Sequence, residues 1–314
     1  MQTTYSPEGA KLHTQENAQF LSTLDDMRRA MREGVILEAV AARANGTGSL
    51  AVPLGEMIGI MEKSEVQMTA PGESVKDIAV ITRVGKPVCF KIIEITEPKV
   101  GAPIVRLSRR AAQEECARSF LANLTPGDVI PAKVTHLERF GALVDVGCGI
   151  VSLLSIDCIS VSRISHPSDR MNVGSEIDVV VREIERAEDG TPTRLYVTRR
   201  ELLGTWAENA ALFEVGQTVT GIVRSVESYG VFVELTPNLA GLAEYRDDVS
   251  VGQCAAVYIK SIIPERMKVK LVIVDAYRGI PAAASLPRAD VQHIDRWRYS
   301  PPECAKVVES IFGE

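Results

Sequence analysis

The chain has 314 residues, with 35 Lys and Arg against 41 Asp and Glu, a formal net charge of −6, 46% hydrophobic and 24% charged residues. That length predicts two or three domains, the mixed charge excludes bulk disorder, and the acidic balance excludes a chain that grips polyanions through global charge alone. Six cysteines, at 89, 116, 148, 158, 254 and 304, form no Cys-x-x-Cys pair and have no histidine at metal spacing. They therefore predict buried free thiols in a reducing compartment, with no metal site and no cofactor. Met1 to Glu16 lacks the apolar core of a signal peptide. No run reaches the ~20 apolar residues of a membrane span, so the expectation is a cytoplasmic protein with no membrane partner.

Residues 1–33 comprise a polar tail and a predicted amphipathic helix over Gln15 to Arg32, with Phe20, Leu24, Met27 and Met31 on one face and Gly34 as its C-terminal cap. Short strands are then expected at Ile36 to Ala42, Leu50 to Leu54, Ile78 to Val84, Val88 to Ile95 and Ile104 to Leu107, separated by turns such as Asn45-Gly46. Five strands within 34–110 suit a small barrel, although its first two strands carry no aromatic residue. A linker helix follows over 111–124, with Ala112, Cys116 and Phe120 on its apolar face.

Residues 125–198 form a second unit, opened by the turn Thr125-Pro126-Gly127-Asp128. Its predicted strands are Val129 to Thr135, Ala142 to Val146, Gly149 to Leu154, Glu176 to Ile184 and Arg194 to Val197. A second linker helix is expected over 199–213, with Thr198 and Glu201 as a capping box and Leu202, Trp206, Ala210 and Phe213 as its stripe. A third unit at 214–275 has strands at Gln217 to Ser225, Val231 to Leu235, Ala240 to Ala243, Gln253 to Ile262 and Lys268 to Ile273. The tail, 276–314, ends in a predicted short helix begun by Ser300-Pro301-Pro302-Glu303.

The second and third units are repeats. Phe140-Gly141 recurs as Tyr229-Gly230, from 140 to 229 a step of 89, and Arg109-Arg110 recurs as Arg199-Arg200, a step of 90. Alternation sorts the faces of the repeated strand. Val231, Val233 and Leu235 point to one core and Ala142, Val144 and Val146 to the other. Phe232 and Glu234, like Leu143 and Asp145, are expected on a wet outer face.

Exposed rings beside cationic side chains make a stacking platform for unpaired bases. The ring candidates are Phe140, Tyr229 and Phe232. The cationic candidates are Lys133, Arg139, Arg182 and Arg194 in the second unit, and Arg224, Lys268 and Lys270 in the third. Four scattered histidines, no phosphate loop, no nucleophile elbow and no paired carboxylates beside a base leave no catalytic constellation.

The strand Phe140-Gly141-Ala142-Leu143-Val144 and the stretch Gly127-Asp128-Val129-Ile130 resemble the RNA-binding repeat of bacterial small-subunit ribosomal protein S1, also found in polynucleotide phosphorylase. His166-Pro167-Ser168-Asp169 is similar to that family's His-Pro loop. The resemblance is strong over 125–200, good over 214–275 and weak over 34–108. It implies a mainly β chain of three tandem five-stranded oligonucleotide-binding (OB) fold barrels joined by amphipathic linker helices, with helices at both ends. It also implies a histidine contact at a position held here by Ser152 and Glu244, a late basic contact at Arg194 and at Lys268 or Lys270, and a contact or loop-bracing role for His166. The function implied is a non-enzymatic one, binding single-stranded RNA such as mRNA in translation. The small ribosomal subunit would be held through the first repeat and the N-terminal helix. A protein-interaction scaffold and an RNA-binding accessory subunit of an enzyme are the alternatives.

Overall fold

The structure, a computed structural model, describes residues 5–43, 48–70, 72–188, 190, 192–279 and 290–313. The Asn45-Gly46 turn lies outside them. Two short helices open the chain, α1 (Gln15–Phe20) and α2 (Leu24–Glu33), where the periodicity predicts one. Thr23 breaks the run, because its hydroxyl accepts from the Asp26 amide and restarts the helix as an N-cap. Gly34 ends α2 in the left-handed conformation, at φ 66°.

The first barrel contains β1 (Leu37–Val40), β2 (Ala42–Arg43), β3 (Leu50–Leu54), β4 (Met57–Met61), β5 (Pro87–Thr96) and β6 (Ile104–Ser108). Its strand order is β1-β5-β6-β4-β3-β2. The two edge pieces are halves of one strand broken at Ala41, so the sheet closes on itself through that bend. The strand expected at Ile78 to Val84 is instead the helix α3 (Asp77–Ile81). It buries Val80 and leaves Ile78 and Ile81 exposed, while β4, absent from the sequence expectation, takes the place beside β6.

Helix α4 (Arg109–Ser119) is capped by the Ser108 hydroxyl and leads to β7 (Val129–Glu138), β8 (Gly141–Asp145), β9 (Val151–Ser155), β10 (Glu176–Arg186) and β11 (Pro192–Thr198). These close as β10-β11-β9-β8-β7. The expected helix over 199–213 is only one 3-10 turn and the short α5 (Trp206–Ala210). Thr198 and Glu201 bond side chain to side chain at 2.6 Å, and the reciprocal capping box is Thr205 with Glu208. The third barrel, β12 (Thr218–Glu227), β13 (Gly230–Thr236), β14 (Leu239–Ala243), β15 (Cys254–Ile263) and β16 (Lys268–Tyr277), closes in the same order. In each barrel a parallel pair joins the third strand to the fifth, the closure of an OB barrel.

The predicted C-terminal helix is a β-hairpin, β17 (Arg296–Arg298) with β18 (Glu309–Ile311). Trp297 and Tyr299 sink into the third core, and the Tyr299 hydroxyl donates to the Asn238 carbonyl at 2.6 Å. Backbone pairing with α5, through Trp206 N to Tyr299 O at 3.0 Å, outweighs the local helix signal. All six cysteines are buried and free. Among the described residues no helix is long and apolar enough to cross a membrane.

Candidate nucleic-acid interface

The glycine after each ring explains the repeated dipeptide. Gly141 and Gly230 have φ of 156° and 155°, and a Cβ there would lie 2.3 Å from the Leu154 carbonyl oxygen and 2.5 Å from that of Ala243. Only glycine lets the strand start that close to its neighbour. The preceding ring is thereby thrown onto the surface, with Phe140 59% and Tyr229 68% exposed.

Register defines an outward row across each barrel. In the third barrel Ser225, Phe232, Leu242 and Lys270 stand side by side on β12, β13, β14 and β16. In the second the row is His136, Leu143, Leu153 and Tyr196. In the first it passes through Ala42, Ala51, Ile60 and Arg106, and Arg106 is already ion-paired with Glu62 and Glu94. The rings of Tyr229 and Phe232 meet edge to face, with centroids 6.1 Å apart. His136 and Tyr196 are members of the second row that the sequence reading missed; the alternation Arg194, Leu195, Tyr196, Val197 on β11 was the available signal.

The same register corrects the histidine position. Leu154 corresponds to Ala243, so Glu244 corresponds to Ser155 and not to Ser152, whose buried hydroxyl donates to the Leu195 carbonyl at 2.5 Å. It likewise makes Lys268 the counterpart of Arg194. Arg194, Lys268, Lys270 and Arg139 are exposed. Arg194 reaches Glu185 only at 4.0 Å, with 72% of its side chain open.

Three cationic candidates have other engagements. Lys133 donates to the Glu8 carbonyl at 3.0 Å. Arg182 sits 3.3 Å from the Cys158 sulfur and lines a cleft with Arg200, Glu201 and Glu309 against the C-terminal hairpin. Arg224 is held by Glu234 at 2.7 Å and by Asp169 at 3.1 Å. His166 caps its own loop, Nδ1 accepting from the Ser168 amide at 3.2 Å.

The acids expected on the wet face are covered. Glu234 is 3% exposed, and Arg170 of the second barrel grips both its oxygens, at 2.9 and 2.6 Å. Asp145 is 2% exposed and accepts the Glu8 amide at 2.7 Å and those of Gly147 and Gly149. Burial, with the neighbouring Glu8 carboxylate, pushes the Asp145 acid up to about 6. Burial opposes ionisation of Glu8 too, but Arg109, bidentate at 2.6 and 3.1 Å, overrides it and lowers that carboxyl. Alternation identified the strand face; it carries no information on which other segment packs there.

The S1 RNA binding domain matches residues 123–190, the second barrel. The small ribosomal subunit protein bS1 of Mycobacterium tuberculosis is 28% identical over 290 residues, which cover 86% of this chain and 56% of that protein. Its counterpart in Leuconostoc lactis is 31% identical over 159 residues, 50% of this chain and 36% of that one. That of Staphylococcus haemolyticus is 26% identical over 261 residues, 79% and 61%. The matched stretches span 36% to 61% of the length of these curated relatives.

Proposed function

We propose that this chain, a member of the S1-like family, is a non-enzymatic protein that binds single-stranded RNA and acts in translation on the small ribosomal subunit. One observation carries the reading: an exposed ring followed by an obligatory glycine stands at one register position in consecutive barrels, Phe140 in the second and Tyr229 in the third. Tyr229, Phe232 and Phe140 stack bases, and Arg139, Arg194, Lys268 and Lys270 neutralise phosphates. Tyr196 and Leu143 give the second barrel a shallower platform than the third. Two weak sites on one chain gain from effective concentration, so neither needs high affinity alone.

Each stacked base contributes about 1–3 kcal/mol. In a filter-binding titration with a short unpaired RNA, Tyr229→Ala/Phe232→Ala should therefore bind at least ~10-fold more weakly than wild type. With three or four phosphates engaged, log affinity should fall with log salt at a slope of roughly −2 to −3. Equal binding by wild type and the double variant would sink the stacking site.

The first barrel is assigned to protein contact, because its row holds Ala51 and Ile60 and no ring. Loss of co-sedimentation with small ribosomal subunits after deletion of residues 1–108, with RNA binding retained, is the expected outcome. Absence of the whole chain from that fraction would overturn the ribosomal assignment.

A further inference from the structure

The third barrel's outer face does not end in solvent. Phe232 and Glu234 share one face of β13, about 6.6 Å apart along the strand, and Glu234 is covered by the 160–170 loop of the second barrel. The attachment is built from buried ion pairs and backbone bonds. Arg170, only 4% of whose side chain is exposed, is bidentate to Glu234. Val161 donates from its amide to Asn238 at 2.9 Å, and Ser162 to the Pro237 carbonyl at 3.3 Å. A second chain of contacts runs from Glu234 through Arg224 to Asp169, whose other oxygen accepts from the Ser165 and His166 amides at 3.2 and 3.4 Å. His166 belongs to the second barrel by sequence, yet through its amide on Asp169 it is tied by Arg224 to Glu234, two residues from Phe232 on β13.

The chemistry of His166 suits that place. The Ser168 amide donates to Nδ1, so the neutral ring carries its proton on Nε2, as the hydrogen-bond pattern assigns it. Nε2 is then a donor on a half-exposed ring, suited to a phosphate or sugar oxygen. We infer that the third barrel's site is composite: bases stack on Tyr229 and Phe232 of the third barrel, and His166 of the second barrel donates to the backbone of the same strand where it crosses the joint. This rests on the single-stranded RNA reading above.

A double-mutant cycle on the full chain tests it, using an unpaired oligouridylate of about 12 nucleotides. His166→Ala and His166→Asn should each weaken binding roughly three- to tenfold, the size of one hydrogen bond. Asparagine keeps the loop-capping acceptor and lacks the Nε2 donor. In the Phe232→Ala background the His166→Asn effect should shrink below twofold, while in Phe140→Ala it should persist in full. Wild-type affinity in His166→Asn reduces the residue to a loop cap and overturns the proposal. So does an effect that survives Phe232→Ala and vanishes in Phe140→Ala, which returns His166 to the second barrel's site. Failure of wild type to bind the oligomer overturns the underlying RNA reading instead.

Discussion

Glu234→Ala isolates the joint between the second and third barrels. The substitution strands Arg170, 4% exposed at its side chain, with the Ser160 hydroxyl and the Asp169 carbonyl as its remaining hydrogen-bond acceptors among the described residues, while Arg224 keeps Asp169. Removing one member of a buried ion pair costs about 3–5 kcal/mol, because the survivor stays desolvated. Both tryptophans of the chain, Trp206 and Trp297, lie in the third core, so tryptophan fluorescence reports that barrel selectively. With a urea m-value of about 1–1.5 kcal/mol/M for a unit this small, the fluorescence midpoint should fall by roughly 2–5 M. The double variant Arg170→Met/Glu234→Met, which removes the stranded cation together with its partner, should regain at least half of that. A midpoint within about 0.5 M of wild type for Glu234→Ala would refute the view that this cluster holds the barrels together.

Gly230→Ala should cost the third barrel about 1–3 kcal/mol and shift the same fluorescence midpoint, because its Cβ meets the Ala243 carbonyl at 2.5 Å; an unchanged midpoint would show that the strand start can give way. Burial raises the Glu38 acid from near 4.5 to about 7, against the pull of the Lys11 and Gly9 amides that donate to it at 2.9 and 3.0 Å. The folded state therefore holds an extra proton between those values, and the N-terminal segment loses stability as pH rises from about 4.5 to about 7. Glu38→Gln keeps the acceptor and removes the titration, so hydrogen exchange at Gly9 and Lys11 should slow at pH 8 and match wild type near pH 4; equal exchange at pH 8 would contradict it. Tyr299→Phe forfeits the buried bond to Asn238 and leaves that carbonyl unpaired, for a loss of about 1–2 kcal/mol read by thermal unfolding.

The barrels were legible because their signal is local and periodic. Alternating residues on β8 and β13, each opened by a ring and a glycine, identify a half-buried strand, and the step of 89 residues carries the assignment from one unit to the next. The failures share a different cause. Ile78 to Val84 is β-branched enough to suggest a strand, yet the place beside β6 belongs to Met57–Met61, and nothing in either segment says which one wins it. Ser300-Pro301-Pro302-Glu303 is a sound helix start that is overruled by pairing with a hairpin partner and by two rings buried in the third core. The cationic residues divide in the same way. Lys268 and Arg194 could be read from strand alternation, whereas the capture of Arg224 and Lys133 depends on segments 55 and 125 positions away in sequence.

The two covered acids disclose how the repeats are strung. Asp145 and Glu234 occupy one register position, two residues beyond the central residue of their rows, Leu143 and Phe232. Each receives a neighbouring module. The Glu8 amide of the N-terminal tail and its Arg109 partner reach Asp145, and Arg170 of the second unit reaches Glu234. The corresponding residue of the first barrel, two past Ala51, is Pro53, which is exposed and carries no charge. A carboxylate buried on an outer strand face is costly unless donors arrive from outside its own barrel, so at this position it marks where a module docks. Docking there fixes each joint near one end of the strand and leaves the glycine end, with Phe140 or Tyr229, uncovered. The residues that order the barrels and the residues that face the ligand thus lie on one strand, separated by a single pleat.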